Sequence, residues 1–104
     1  MRYLIHTRVI MLNGGVQIMI KFLLGESRPL EFEITQKDNE PFVIRDSSYE
    51  LYKDNVVVDS GNMEISDHIL SYIFTPESRG FYLFKFTYTI GESTRAAQYH
   101  INVD

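Results

Sequence analysis

The stretch Arg79-Gly80-Phe81-Tyr82-Leu83-Phe84-Lys85-Phe86-Thr87-Tyr88-Thr89-Ile90 decides how this chain folds. Tyr82, Phe84, Phe86 and Tyr88 recur at every second residue, the spacing that sets side chains on one face of a β-strand. Aromatic residues at this period suit a pleated, half-buried surface. A turn, Thr75-Pro76-Glu77-Ser78-Arg79-Gly80, precedes the run, and Gly91-Glu92-Ser93-Thr94 follows it. The first half of the strand is apolar on both faces, with Phe81 and Leu83 opposite Tyr82 and Phe84.

The same alternation continues to either side. Ile20, Phe22 and Leu24 share a face until Gly25-Glu26-Ser27 interrupts them, and Leu30, Phe32 and Ile34 alternate with Glu31 and Glu33. Tyr49 and Leu51 flank Glu50, and Asp54-Asn55 turns into Val56-Val57-Val58. Met63-Glu64-Ile65, Ile69 to Phe74 and Arg95 to Val103 complete the series. No window has the 3.6-residue period of an amphipathic helix. Short strands spaced about 8–12 residues apart and bounded by turn residues predict an all-β sandwich or small barrel.

The chain has 104 residues, enough for one domain, with a formal net charge of −4, 44% apolar residues and 13% aromatic ones. This composition excludes a disordered chain. With no cysteine, a disulfide scaffold, a thiolate metal site and a thiol nucleophile are impossible. The acidic balance argues against sequence-independent nucleic-acid binding, which needs clustered positive charge. No apolar run is long enough for a membrane-spanning helix, so no membrane insertion is expected. Arg8 interrupts the N-terminal apolar run and no small-residue cleavage pattern follows, so no signal peptide is expected.

Residues 1–18 differ from the rest. All fourteen acidic residues lie after them, whereas they carry Arg2 and Arg8. Two readings stay open for this extension beside a domain at residues 19–104. Gly14-Gly15 can be encoded by a purine-rich, ribosome-binding-like run ahead of a start at Met19, which would make residues 1–18 a leader from a mis-called start. Alternatively, Tyr3–Leu12 and Val16–Leu24 form a hairpin turning on Asn13-Gly14-Gly15, since Asn-Gly tolerates positive φ. Mass spectrometry of the natural product, beginning at Met1 or at Met19, separates the two.

The segment Arg79 to Phe84 resembles the start of the sixth strand in immunoglobulin-like sandwiches. That resemblance implies a structural corner: Gly80 in the turn, Tyr82 tying its hydroxyl to the preceding loop, and Phe84 where antibody domains carry a disulfide cysteine. Without Cys or Trp, the chain is more similar to cysteine-free immunoglobulin-like domains of bacterial surface proteins and tailed-phage structural proteins. Phe22 to Phe32, with its Gly-acidic-Ser turn, and Lys37-Asp38-Asn39-Glu40-Pro41-Phe42-Val43-Ile44 resemble the opening of phage baseplate and tail domains. The resemblance covers residues 19–104. It implies a structural role in a virion assembled from protein made in the bacterial cytoplasm.

Chemistry is sparse in the sequence. His6, His68 and His100 fall on different expected elements, without metal-ligand spacing. Asp67-His68 with Ser71 makes a poor triad, because neighbouring strand residues point to opposite faces, and no Gly-x-Ser-x-Gly elbow is present. The carboxylates Glu31, Glu33, Asp38, Glu40, Asp54, Asp59, Asp67 and Glu77 sit on turns and wet faces, and Asp54-Asn55 with Asp59 offers too few oxygens for calcium. No catalytic residue, metal or cofactor is expected.

The aromatic and aliphatic residues say more. Besides Phe81 and Leu83, Ile69 and Ile73 stand opposite Leu70, Tyr72 and Phe74, giving a second doubly apolar strand. Such strands are covered by another segment of the chain or meet another subunit. Tyr49, Tyr52, Tyr72, Tyr88 and Tyr99 could alternatively stack on sugar rings. The sequence therefore predicts an immunoglobulin-like antiparallel sandwich of about seven strands. Its expected core is Ile20, Phe22, Phe32, Ile34, Leu51, Val56, Val58, Ile65, Tyr72, Phe74, Tyr82, Phe84, Phe86, Tyr99 and Ile101. The expected function is non-catalytic assembly with itself or other structural proteins, with surface-carbohydrate binding as the alternative.

Overall fold

The computed structural model describes residues 3–7, 19–36 and 41–104. Nine strands run through them: β1 (Tyr3–Thr7), β2 (Met19–Phe22), β3 (Arg28–Gln36), β4 (Ile44–Lys53), β5 (Val56–Asn62), β6 (Glu64–Ser66), β7 (Ile69–Phe74), β8 (Gly80–Ile90) and β9 (Ser93–Val103). They form a four-stranded sheet in the order β1-β3-β7-β6 and a five-stranded sheet in the order β2-β9-β8-β4-β5. Every pairing is antiparallel except β2 with β9, which is parallel. Among the described residues no helix is long and apolar enough to cross a membrane.

This strand order is that of an immunoglobulin sandwich. β3, β7 and β6 stand as the second, fifth and fourth strands of one sheet, and β4, β8 and β9 as the third, sixth and seventh of the other. The count exceeds the expected seven for two reasons. The first strand is divided between the sheets as β1 and β2, and β5 adds a strand beside β4.

Local chemistry explains the turns. Asp54 (φ 52°) and Asn55 (φ 64°) both adopt positive φ, as a type I′ connection between β4 and β5 requires. Gly91 (φ 59°) opens the two-residue link from β8 to β9. The links that cross between sheets do other work. Met63, between β5 and β6, is buried and donates its backbone N–H to the Ser47 carbonyl at 3.1 Å.

The core lies between the sheets. Tyr82, Phe84, Phe86, Tyr88 and Ile90 of β8 all face it and are buried. Leu30, Phe32 and Ile34 of β3 and Leu70 and Phe74 of β7 meet them from the other sheet. The Phe32 ring lies 4.7 Å from Phe86 and 5.0 Å from Tyr99, centroid to centroid. Ile65, Tyr72 and Tyr99 pack against this cluster while half-buried.

Two expectations need correction. Val56 and Val58 are exposed, because β5 is the outermost strand of the wider sheet and it is β4 that contacts β6 across the sandwich. The N-terminal hairpin is also not what the described residues form. Tyr3–Thr7 pairs with Phe32 to Gln36 of β3, while Met19–Phe22 pairs with His100 to Val103 of β9 in the opposite sheet. Dividing the segments this way pairs an edge of each sheet, where a hairpin would have occupied one. The expected turn Asn13-Gly14-Gly15 lies outside the described residues, as do Leu12 and Val16.

Candidate functional site

The turn into β8 is held by side-chain hydrogen bonds. The Tyr82 hydroxyl donates to the Ser78 carbonyl at 2.9 Å and lies 3.0 Å from the Ser78 hydroxyl. Lys53 adds a second tie, its ammonium donating to Ser78 Oγ and, at 2.9 Å, to the Arg79 carbonyl. Gly80 has φ 126°, a conformation side-chain-bearing residues rarely adopt. Phe84 is fully buried and stacks on Phe32 of the facing sheet with ring centroids 5.8 Å apart. The aromatic pair joins β3 and β8 across the sandwich.

Strand register assembles the outer face of the five-stranded sheet. His100 is opposite Met19 on one side and Leu83 on the other; Leu83 is opposite Tyr52, and Tyr52 opposite Val57. One band, Met19-His100-Leu83-Tyr52-Val57, therefore crosses all five strands. Phe81 adjoins it with 66% of its surface exposed, and Val57 keeps 43%. Next along the strands comes a polar band, Gln98-Lys85-Glu50-Ser60. The Tyr52 hydroxyl donates to Glu50 at 2.9 Å, and the Lys85 ammonium lies 5.0 Å from the Tyr52 ring centroid. A shallow trough of about 770 Å³ overlaps this band: Glu50, Lys85, Gln98 and Ser60 line it together with Ser48, Thr87 and Ala96.

The four residues singled out for an interface do not converge. Phe81 and Leu83 lie on this outer face. Ile69 and Ile73 belong to β7 and point away from the core on the opposite side of the sandwich, Ile69 half-buried and Ile73 exposed. Met19, Tyr52, Val57 and His100 complete the band, and sequence reasoning did not connect them to Phe81. Their proximity comes from cross-strand register, which periodicity within a strand does not carry.

The tyrosines face mostly inward. Tyr88 is buried, Tyr49, Tyr72 and Tyr99 pack against the core, and Tyr52 lies on the outer face. Asp59 accepts hydrogen bonds from Tyr72 of the facing sheet at 2.8 Å and from Tyr49 at 3.1 Å. Burial, reinforced by the Asp59 carboxylate, raises the pKa of both hydroxyls, most strongly at Tyr72. Burial also raises Tyr99. Asp59 therefore bridges the sheets rather than joining Asp54 and Asn55 at a cation.

The histidines stand apart. His68 stacks on Phe42 with centroids 3.9 Å apart, and its Nε2 lies 2.9 Å from the Phe42 carbonyl. Asp67 Oδ1 is 3.8 Å from the same nitrogen, beyond hydrogen-bond reach. His100 is opposite Leu83, and His6 lies on β1 opposite Glu33. Among the described residues no group of three His, Asp or Glu side chains is placed to hold a metal.

No protein-family model matches the chain, and no curated protein matches it. Among solved structures it is similar to an engineered protein whose 1.98 Å crystal structure comes from the Northeast Structural Genomics Consortium. The TM-score is 0.70 at 10% identity, over 99% of this chain and 20% of that one. The chain thus spans about a fifth of that protein's length. At this identity the likeness concerns the fold alone.

Proposed function

We propose that this chain is a non-catalytic assembly module that acts through protein–protein contacts at the outer face of its five-stranded sheet. The observation that carries the reading is the apolar band Met19-His100-Leu83-Tyr52-Val57 with exposed Phe81 beside it. A sheet whose outer face meets water alternates apolar and polar residues, and at this level that alternation fails on four of the five strands, His100 being the polar member on β9. A contiguous apolar band with a polar band next to it has the layout of a protein interface, an apolar centre and a polar rim. The likeness to tailed-phage tail, baseplate and head–tail domains extends the proposal to a place in a virion.

Carbohydrate binding has less support, because four of the five tyrosines considered for a stacking platform point into the sandwich. Co-expression with the products of adjacent genes tests the proposal. Association with one of those products, or with itself, should be lost in Phe81→Asp and kept in Ile73→Asp. A chain that stays monomeric and purifies alone contradicts it, as does association indifferent to Phe81→Asp. Recovery of the chain from purified particles by mass spectrometry tests the virion assignment separately.

A further inference from the structure

We infer that the open corner between β5 and the second half of β7 takes up an extended strand of another polypeptide, apolar on its inward side and flanked by basic residues. The corner lies on the inner side of β5, away from the band that includes Val57, and the inference stands independently of that band. β6 covers only part of β7: Glu64, Ile65 and Ser66 are opposite Ser71, Leu70 and Ile69. The same register would set Asn62 opposite Ile73, but Asn62 is opposite Ser48 in the other sheet. Because the chain has crossed over there, no strand among the described residues lies beside Tyr72–Phe74 on that side. The ladder shows which backbone groups this leaves. The Ile34 N–H donates to the His68 carbonyl at 2.9 Å. Hydrogen-bonded pairs recur at every second residue of an antiparallel ladder, so Tyr72 and Phe74 turn theirs toward Leu30 and Arg28. The N–H and C=O of Ile73 point the other way, toward the vacant rung, and such an edge is a template for strand addition.

The side chains across the corner match this vacancy. Val56 is opposite Lys53, which is itself opposite the inward Tyr82, and Val58 lines a cleft of about 260 Å³ between the sheets. Both valines are thus on the inner side of β5, yet they keep 61% and 53% of their surface exposed. They lack only a facing strand, and a segment extending the β6 position along β7 supplies one. Leu51 and Phe74, both buried, form the cleft floor. A cleft this small holds one or two aliphatic side chains rather than a drug-sized ligand. Side chains alternate along a strand, so apolar residues enter the cleft while their neighbours stay in water. Charge sets the flanks. Asp54, Asp59, Glu64 and Glu77 border the corner against Lys53 and Arg79, and the Lys53 ammonium is engaged by Ser78 Oγ and the Arg79 carbonyl. The excess of carboxylates favours a strand with basic ends.

The test titrates the full chain with a synthetic heptapeptide of alternating valine and threonine carrying a lysine at each end, followed by methyl-resolved NMR. Leu51 and Val58 should shift saturably while Met19 and Leu83 stay fixed. Val58→Lys, with circular dichroism confirming the fold, should weaken binding at least about tenfold, because an inward charge on an edge strand refuses a neighbour. A peptide with prolines in place of its threonines lacks the donors that face Ile73 and should not bind. Glutamate in place of both lysines should weaken binding at least about tenfold. Absence of saturable shifts overturns the inference, as do shifts at Met19 and Leu83 instead. Equal binding by Val58→Lys, by the proline peptide or by the glutamate peptide overturns it as well. If the peptide fails while association through Phe81 persists, this inference falls and the proposed function stands.

Discussion

Tyr82 shows how one side chain fixes a corner that many others depend on. Its hydroxyl ties the start of β8 to Ser78 while its ring closes the core against Phe74, 5.3 Å away edge to face. Tyr82→Phe keeps the ring and leaves the Ser78 carbonyl without that donor, so a loss of about 1 kcal/mol is expected by urea denaturation. Phe84→Ala opens a cavity between the sheets and should cost about 3–5 kcal/mol. The tyrosines bonded to Asp59 make a different prediction. The fold raises their pKa values above 10.0, so the unfolded chain gives up these protons first as pH rises. Their contribution is complete below about pH 10 and declines above it. Thermal melts should therefore show stability falling in the alkaline range, and Tyr72→Phe should blunt the fall. An unchanged alkaline slope in that variant would place the sensitivity elsewhere.

At the scale of elements, the middle of the fold was legible from sequence and the edges were not. β8 was readable because its inward residues, Tyr82 to Ile90, alternate and are all large. Val56 and Val58 misled because three consecutive valines look like a buried strand, yet burial depends on what faces them. β5 stands at the end of the wider sheet, so its valines have the propensity of a core strand without its environment. Val58→Thr should accordingly change stability by no more than about 0.5 kcal/mol, in contrast to a buried valine. The divided N-terminus misled for a related reason: Asn-Gly marks a hairpin locally, but pairing with β3 and β9 decides where the segments go. Removing residues 1–18 takes away the partner of β3 from Phe32 to Gln36. The shorter chain should melt at lower temperature and associate more readily through the uncovered edge. An identical melting temperature would mean that this pairing adds nothing to stability.

The whole molecule presents two unlike outer faces. On the four-stranded sheet Ile69 and Ile73 flank Ser71, and among the residues whose side chains are described they form a small pair of the kind any surface carries. On the five-stranded sheet a band of Met19, Leu83, Tyr52 and Val57, joined on β9 by His100, spans every strand. Sequence reasoning identified the doubly apolar strands β7 and β8 but could not separate these faces, because the band exists only once five strands are in register. Methyl-resolved NMR of the intact chain, diluted and then concentrated or mixed with its partner, tests that distinction most directly. The account predicts that Met19, Val57 and Leu83 shift together on assembly while Ile69 and Ile73 stay fixed. Shifts confined to Ile69 and Ile73, or association that moves neither set, would contradict it.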